Sequence, residues 1–193
     1  TDLSHETDGY GKVTSGYSNI ISKSVYSLPL HSNYHVAKMD DILSGMAGFK
    51  DKVIVLDVKM IGNYYLEENL IHLSRQLVKL INKHGIQNQV IVEFISIELA
   101  VIFQEMAPDI RIFAATGNVE TAIAWQDSLS IEGIVMDVRN LTRSQVEQVH
   151  DAGLSISVYN AMSKNENDRA LDLEVDYLMT DQLNYALRIA GRN

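Results

Sequence analysis

The chain has 193 residues, 46% of them hydrophobic, with two prolines, which suits one globular domain with its own core and leaves little room for two. A formal charge of −9, with no cluster of Lys and Arg, excludes a generic nucleic-acid binder, whose affinity rests on a basic surface. The lack of cysteine removes disulfide scaffolds, thiol nucleophiles and thiolate zinc sites.

The first fifty residues are rich in Ser, Tyr, Gly and Asn and read as a loop-rich excursion, with helical periodicity only around Met39 to Met46. They are taken as part of a single domain over residues 1–193. The opening TDLSHETDGYGKVTSG lacks the apolar stretch of a signal peptide, and no apolar run approaches the roughly 20 residues of a membrane span.

From Val53 onward, short β-branched runs alternate with longer amphipathic stretches, the pattern of βα units and a parallel sheet. The predicted strands are Val53 to Val58, Val90 to Phe94, Ile110 to Ala114, Gly133 to Met136, Ser155 to Tyr159 and Asp176 to Met179. The predicted helices between them are Glu67 to His84, Ile97 to Met106, Val119 to Asp127, Thr142 to Ala152 and Asn165 to Leu173. Leu66, Leu70, Leu73, Leu77, Leu80 and Ile81 recur at spacings of three and four, one apolar stripe to lay against a sheet. Gly85 and Gly153 stand where a helix should stop, and Pro108 ends another.

Six βα units suit an open doubly wound sheet or part of an eight-stranded barrel. No GxGxxG or GxxxxGK[ST] turn follows a strand, so the nucleotide-binding open sheets lose support. The expected fold is therefore an α/β chain forming an incomplete TIM (β/α)8-type barrel, with two strands unaccounted for.

In either architecture the site forms at the carboxyl ends of the strands. Those ends carry Asp57 and Lys59, Glu93, Asp137 and Arg139, Tyr159 and Asn160, and Thr180 and Asp181. Asp57 and Lys59, two apart on one strand, project to the same side. There a carboxylate and an ammonium suit a divalent metal and a phosphate oxygen; the plainer reading is an ion pair without chemistry. Asp137 and Arg139 are expected to pair at the mouth, Asp181 to cap the last helix, and Tyr159 to serve as a stacking platform or as rim packing. His31, His35, His72, His84 and His150 show no metal-ligand spacing and read as surface or capping residues.

The segment VIVLDVK resembles the metal-binding, Lys-bearing strand of the glycerophosphodiester phosphodiesterase family, and APDIRIF its following strand entry. VHDAGLSISVYNA is similar to its helix, Gly turn and penultimate strand, and VDYLMTDQ to its closing strand. Upstream, LSHETDGYGKVTSG resembles its His-Asp segment followed by a Thr/Gly-rich loop, and VAKMDDIL its Ile-Pro-Thr-Leu-x-x-x-Leu motif. The resemblance implies a TIM barrel that hydrolyses a small-molecule phosphodiester to glycerol phosphate and an alcohol. It implies His5 and Lys59 as catalytic residues, Asp57 as a ligand of Ca²⁺ or Mg²⁺, and Lys59, Tyr159 and Glu93 as substrate-contacting positions. In that family one histidine attacks or activates attack at phosphorus and another protonates the leaving oxygen, tasks suited to an imidazole.

The departures are specific. The family's opening His-Arg strand and its Glu-x-Asp strand have no counterpart, so the second histidine and two carboxylates are expected from residues before Thr1. Asp57 stands for the usual Glu, Glu6 for Asp, Glu93 for Ser, Tyr159 for Trp and Met162 for Asn. A carboxylate at Glu93 repels phosphate unless it ligates the metal or faces elsewhere. The alternative to an enzyme is a barrel that has lost its site and acts as a binding or structural module.

Overall fold

The structure is a computed structural model that describes residues 29–30, 34–35, 38–59 and 67–191. The chain divides into two compact units, Thr1–Phe49 and Lys50–Asn193. In the first, β1 (Pro29–Leu30) and β2 (Tyr34–His35) form a short antiparallel ladder, Pro29 opposite His35. Helix α1 (Met39–Met46) follows, with Asp40 and Asp41 in its first turn, where carboxylates favour the positive end of the helix dipole. It matches the periodicity seen in the sequence. The two-residue strands are too short to leave a pattern of alternation and were not anticipated.

The second unit alternates strand and helix throughout. Its elements are β3 (Ile54–Val58), α2 (Glu67–His84), β4 (Val90–Phe94), α3 (Ile97–Met106), β5 (Arg111–Ala114) and α4 (Val119–Ala124). They continue with β6 (Gly133–Asp137), α5 (Arg143–Asp151), β7 (Ser155–Ala161), α6 (Lys164–Asp172), β8 (Tyr177–Thr180) and α7 (Leu183–Ile189). The six strands β3 to β8 pair in sequence order, every pair parallel. Each strand is joined to the next by a helical crossover, the connection that parallel neighbours require.

The two faces of the sheet differ. Residues such as Phe94 turn outward to the helices, its ring 5.2 Å from that of Phe103 on α3. Their neighbours Ile91, Phe113 and Val135 form the inner cluster, with Ala115, Tyr177 and Met179 packed against it. Phe113 and Tyr177 lie on strands three apart, a separation of about 14 Å in a flat sheet. Their rings nevertheless meet edge to face at 5.5 Å, so the sheet curls around its inner face. The fold is thus six strands of a (β/α)8-type barrel, the inner face being the lumen.

Gly133 adjusts the filling of that lumen. A Cβ there would lie 2.6 Å from the Phe113 ring and 2.7 Å from the Ser155 carbonyl oxygen. Only glycine leaves space for the Phe113 ring over β6.

Three of the helices stop by one recurring device. After α2, Ile86 N–H donates to Ile81 O and Gly85 N–H to Asn82 O, with Gly85 at φ +63°. After α5, Leu154 donates to Val149 and Gly153 to His150, with Gly153 at φ +75°. Both are Schellman endings. After α6 the same two bonds form around Glu174, which takes φ +62° without being glycine.

Several boundaries differ from expectation. Val119 to Asp127 is a six-residue helix followed by a 3₁₀ turn at Trp125–Asp127, where Ser128 and Leu129 N–H both close on Trp125 O. In α2 the buried stripe is Leu70, Ser74, Leu77 and Ile81, with Leu66 outside the described residues. Asp181 does not cap the last helix: the residue before α7 is Gln182, which makes no side-chain cap, and Thr180 Oγ1 accepts from Gln182 N–H at 2.8 Å. The threonine is one residue better placed to satisfy that amide. Among the described residues no helix is long and apolar enough to cross a membrane.

Candidate active site

The inner face carries polar residues at its carboxyl end, and they fall into two groups. The first lies on β3 and β4. Register pairs Val55 with Ile91 and Asp57 with Glu93. Ile91 belongs to the lumen cluster, so Val55, Asp57, Lys59 and Glu93 share the lumen side by the two-residue alternation of strands. The Lys59 ammonium pairs with the Asp57 carboxylate, both side chains partly open to solvent.

Glu93 is only 4% exposed. Its carboxyl is pushed up to about 7, chiefly by burial and then by the Asp57 charge, with Lys59 partly opposing both. These three groups therefore share one electrostatic neighbourhood. The sequence-level difficulty over Glu93 resolves in part: it turns toward Asp57 and Lys59, and near neutral pH the metal-free carboxyl is divided between its protonated and charged forms.

The second group lies on β6 and β7. Asp137 pairs in register with Tyr159, on the face that carries Val135. The Arg139 guanidinium grips Asp137 through Nε, at 3.0 and 3.2 Å from the two carboxylate oxygens, and through Nη2 at 2.6 Å. Arg139 N–H also donates to Asp137 Oδ1 at 2.9 Å. The expected pair at the mouth is thus present, and its hydrogen bonds hold the Asp137 carboxyl well below the usual carboxylate range.

Asn160 joins the group for a backbone reason. The β7–β8 register shifts between Val158 and Ala161, and Asn160 takes φ +64°, in the left-handed region. Asn is among the few residues that accept it. The distortion re-aims a side chain that alternation would point outward, so that Asn160 Nδ2 donates to Asp137 Oδ2 at 2.8 Å.

Two further residues fix the loops carrying this group. Arg169 of α6 donates Nε to Val138 O at 2.9 Å and Nη2 to Leu141 O, holding the connection from β6 to α5. Asn167, fully buried, donates Nδ2 to Ala161 O at 3.2 Å and Ser163 O at 2.6 Å. Sequence reasoning missed both, because they sit in the polar run KNENDRALD, which resembles a solvated face; an Arg two places after an Asn there carries no local signal of burial.

Of the residues expected at the site, Asp57, Lys59 and Glu93 are brought together. Tyr159, 38% exposed, stands on β7 with the second group. His5 lies outside the described residues. Among the described residues no group of three or more His, Cys, Asp or Glu side chains gathers to hold a metal.

Comparison with known proteins gives this arrangement a context. No curated protein matches the chain in sequence. Solved structures match over most of it. A Silicibacter pomeroyi DSS-3 protein assigned as a glycerophosphoryl diester phosphodiesterase has a TM-score of 0.81 at 13% identity, covering 97% of this chain and 74% of its own. A glycerophosphodiester phosphodiesterase from Parabacteroides distasonis has a TM-score of 0.77 at 16% identity, covering 97% and 76%. An Oleispira antarctica phosphodiesterase, solved with the product sn-glycerol-3-phosphate, has a TM-score of 0.68 at 13% identity, covering 84% and 63%. At these identities the likeness is one of fold. The family model for the glycerophosphoryl diester phosphodiesterase family matches residues 17–184, and the chain belongs to that family.

Proposed function

We propose that this protein hydrolyses glycerophosphodiesters to glycerol phosphate and an alcohol. The observation that carries the reading is the gathering of Asp57, Lys59 and Glu93 on the lumen side at the carboxyl end of β3 and β4, in a chain of this family. In barrel enzymes that end is where chemistry is done.

Lys59 is the residue for the phosphate. Its ammonium is partly exposed and rests on Asp57, a partner from which it can turn to an incoming phosphate oxygen. Tyr159 offers a partly exposed ring at the same mouth, suited to packing on the alcohol half. His5 remains the proposed proton-transfer residue, on the resemblance of LSHETDGYGKVTSG alone.

Dependence on Mg²⁺ or Ca²⁺ is part of the proposal. Asp57 and Glu93 are two oxygen donors of the hard type such ions take, and water and substrate phosphate can complete the shell. The burial of Glu93 beside Asp57, which disfavours two negative charges, supports a cation at this point. When bound, the cation would neutralise phosphate charge.

Release of glycerol phosphate from glycerophosphoglycerol, with Mg²⁺ or Ca²⁺ and then with chelator, tests both clauses. Turnover that stops on chelation and returns with metal supports both; turnover that survives chelation removes the metal clause. Absence of turnover with metal returns the protein to the binding-module reading.

A further inference from the structure

Arg139 is more elaborately held than an ion pair at a barrel rim requires. Its Nε and Nη2 edge is committed to Asp137, and its own backbone N–H donates to the same carboxylate. Asp137 is steadied from the other side by Asn160, at the cost of a left-handed backbone in β7. The loop behind is tied to α6 by Arg169. Such support fixes the guanidinium plane, and a fixed plane has value where a second partner must meet it in one orientation.

That second partner has a place. A guanidinium has two forks, and the Nη1 edge of Arg139 has no hydrogen-bond partner among the described residues, while the charges of Asp137 and Glu166 both act on the group. The side chain is 51% exposed. The Nη1 and Nη2 donors of this fork are parallel, matching the two oxygens of a carboxylate or a phosphate. Tyr159 pairs in register with Asp137 and flanks the arginine on the lumen side. β6 is two strands from β4 and three from β3, about 10 Å and 14 Å along the sheet, and the long side chains of Arg139 and Lys59 span part of that interval.

We propose that Arg139 reads the alcohol half of the substrate, selecting glycerophosphodiesters whose alcohol carries a carboxylate or a second phosphate. This rests on the proposed hydrolytic function and adds a substrate class to it. The phosphodiester itself is left to Lys59, so Arg139 discriminates among alcohols without being needed for hydrolysis as such.

The test uses glycerophosphoserine, whose alcohol bears a carboxylate, against glycerophosphocholine, whose alcohol bears none. Binding is measured by calorimetry and kcat/KM by product release, for the wild type, Arg139→Gln and Arg139→Lys. The wild type is expected to prefer glycerophosphoserine in both. Arg139→Gln should lower the ratio of glycerophosphoserine to glycerophosphocholine in both measurements by roughly 10- to 100-fold, the scale of a charge-assisted hydrogen bond. Arg139→Lys keeps a cation beside Asp137, which guards the fold, and loses the fork; its ratio should fall between those of the wild type and Arg139→Gln.

Equal losses on both substrates would assign Arg139 to the diester phosphate and overturn the inference, as would a wild type with no preference. The binding arm separates the two claims. A binding preference that Arg139→Gln removes, in a protein with no turnover, sinks hydrolysis and keeps the recognition site. Turnover without preference does the reverse.

Discussion

Replacing Glu93 by Gln should change how stability depends on pH, and the sign follows from the site. Glu93 is an acid whose carboxyl rises from 4.5 to about 7 on folding, chiefly through burial and then through Asp57. Between those values the folded protein holds a proton that the unfolded chain has released. Stability is therefore full below about pH 4.5, declines as pH rises through this window, and levels off above about 7. At about 1.4 kcal/mol per pH unit the decline has an upper limit of roughly 3 kcal/mol. Gln keeps the size of the side chain and cannot ionise. In chelator-treated protein, Glu93→Gln should thus gain up to roughly 3 kcal/mol over the wild type at pH 8.5 and much less at pH 4, a rise of several degrees in Tm on the alkaline side. Urea titrations of both proteins at intervals from pH 4 to 9 measure it. Curves that run parallel across the window, or a variant less stable at pH 8.5, would refute the assignment of Glu93 as a buried carboxyl crowded by Asp57.

Other outcomes follow from packing and backbone geometry. Gly133→Ala should lower stability by about 1–3 kcal/mol, seen as a lower urea midpoint at unchanged slope, and Phe113→Leu should rescue it only in part because the Ser155 carbonyl still obstructs the Cβ. Arg169→Ala leaves the Val138 and Leu141 carbonyls without their donor and should cost about 2–4 kcal/mol by the same measurement. Glu174→Gly should do the opposite, raising stability by about 0.5–1 kcal/mol, since glycine takes φ +62° without strain; its partner Arg143, at 3.5 Å on the surface, contributes little.

What the sequence discloses and what it hides have separate causes. The bounds of α2 and α3 can be read directly because terminal signals mark where they stop, Gly85 after the apolar stripe of one and Pro108 after the other. Asp57 and Lys59 are legible for the same reason: two residues apart on a strand is a local relation. The Asp137, Arg139 and Asn160 group is only half legible. Its first two members are neighbours in sequence, whereas Asn160 reaches Asp137 from 23 positions away, through a register shift that alternation gives no means to foresee. Glu93 is legible as a strand-end carboxylate, yet its raised pKa depends on which face of β4 meets Asp57, a fact of pairing. α7 is legible only as a helix after Asp181, without bounds, because LNYALRI is short and lacks a capping residue at Gln182.

The central claim is that the lumen-side group on β3 and β4 hydrolyses glycerophosphodiesters. Phosphorus NMR of glycerophosphoglycerol incubated with the protein and Mg²⁺ or Ca²⁺ follows it directly. The account predicts that the diester resonance gives way to that of glycerol phosphate with the wild type and persists with a folded Lys59→Ala. A diester that survives the wild type, or conversion at the same rate by Lys59→Ala, would contradict it.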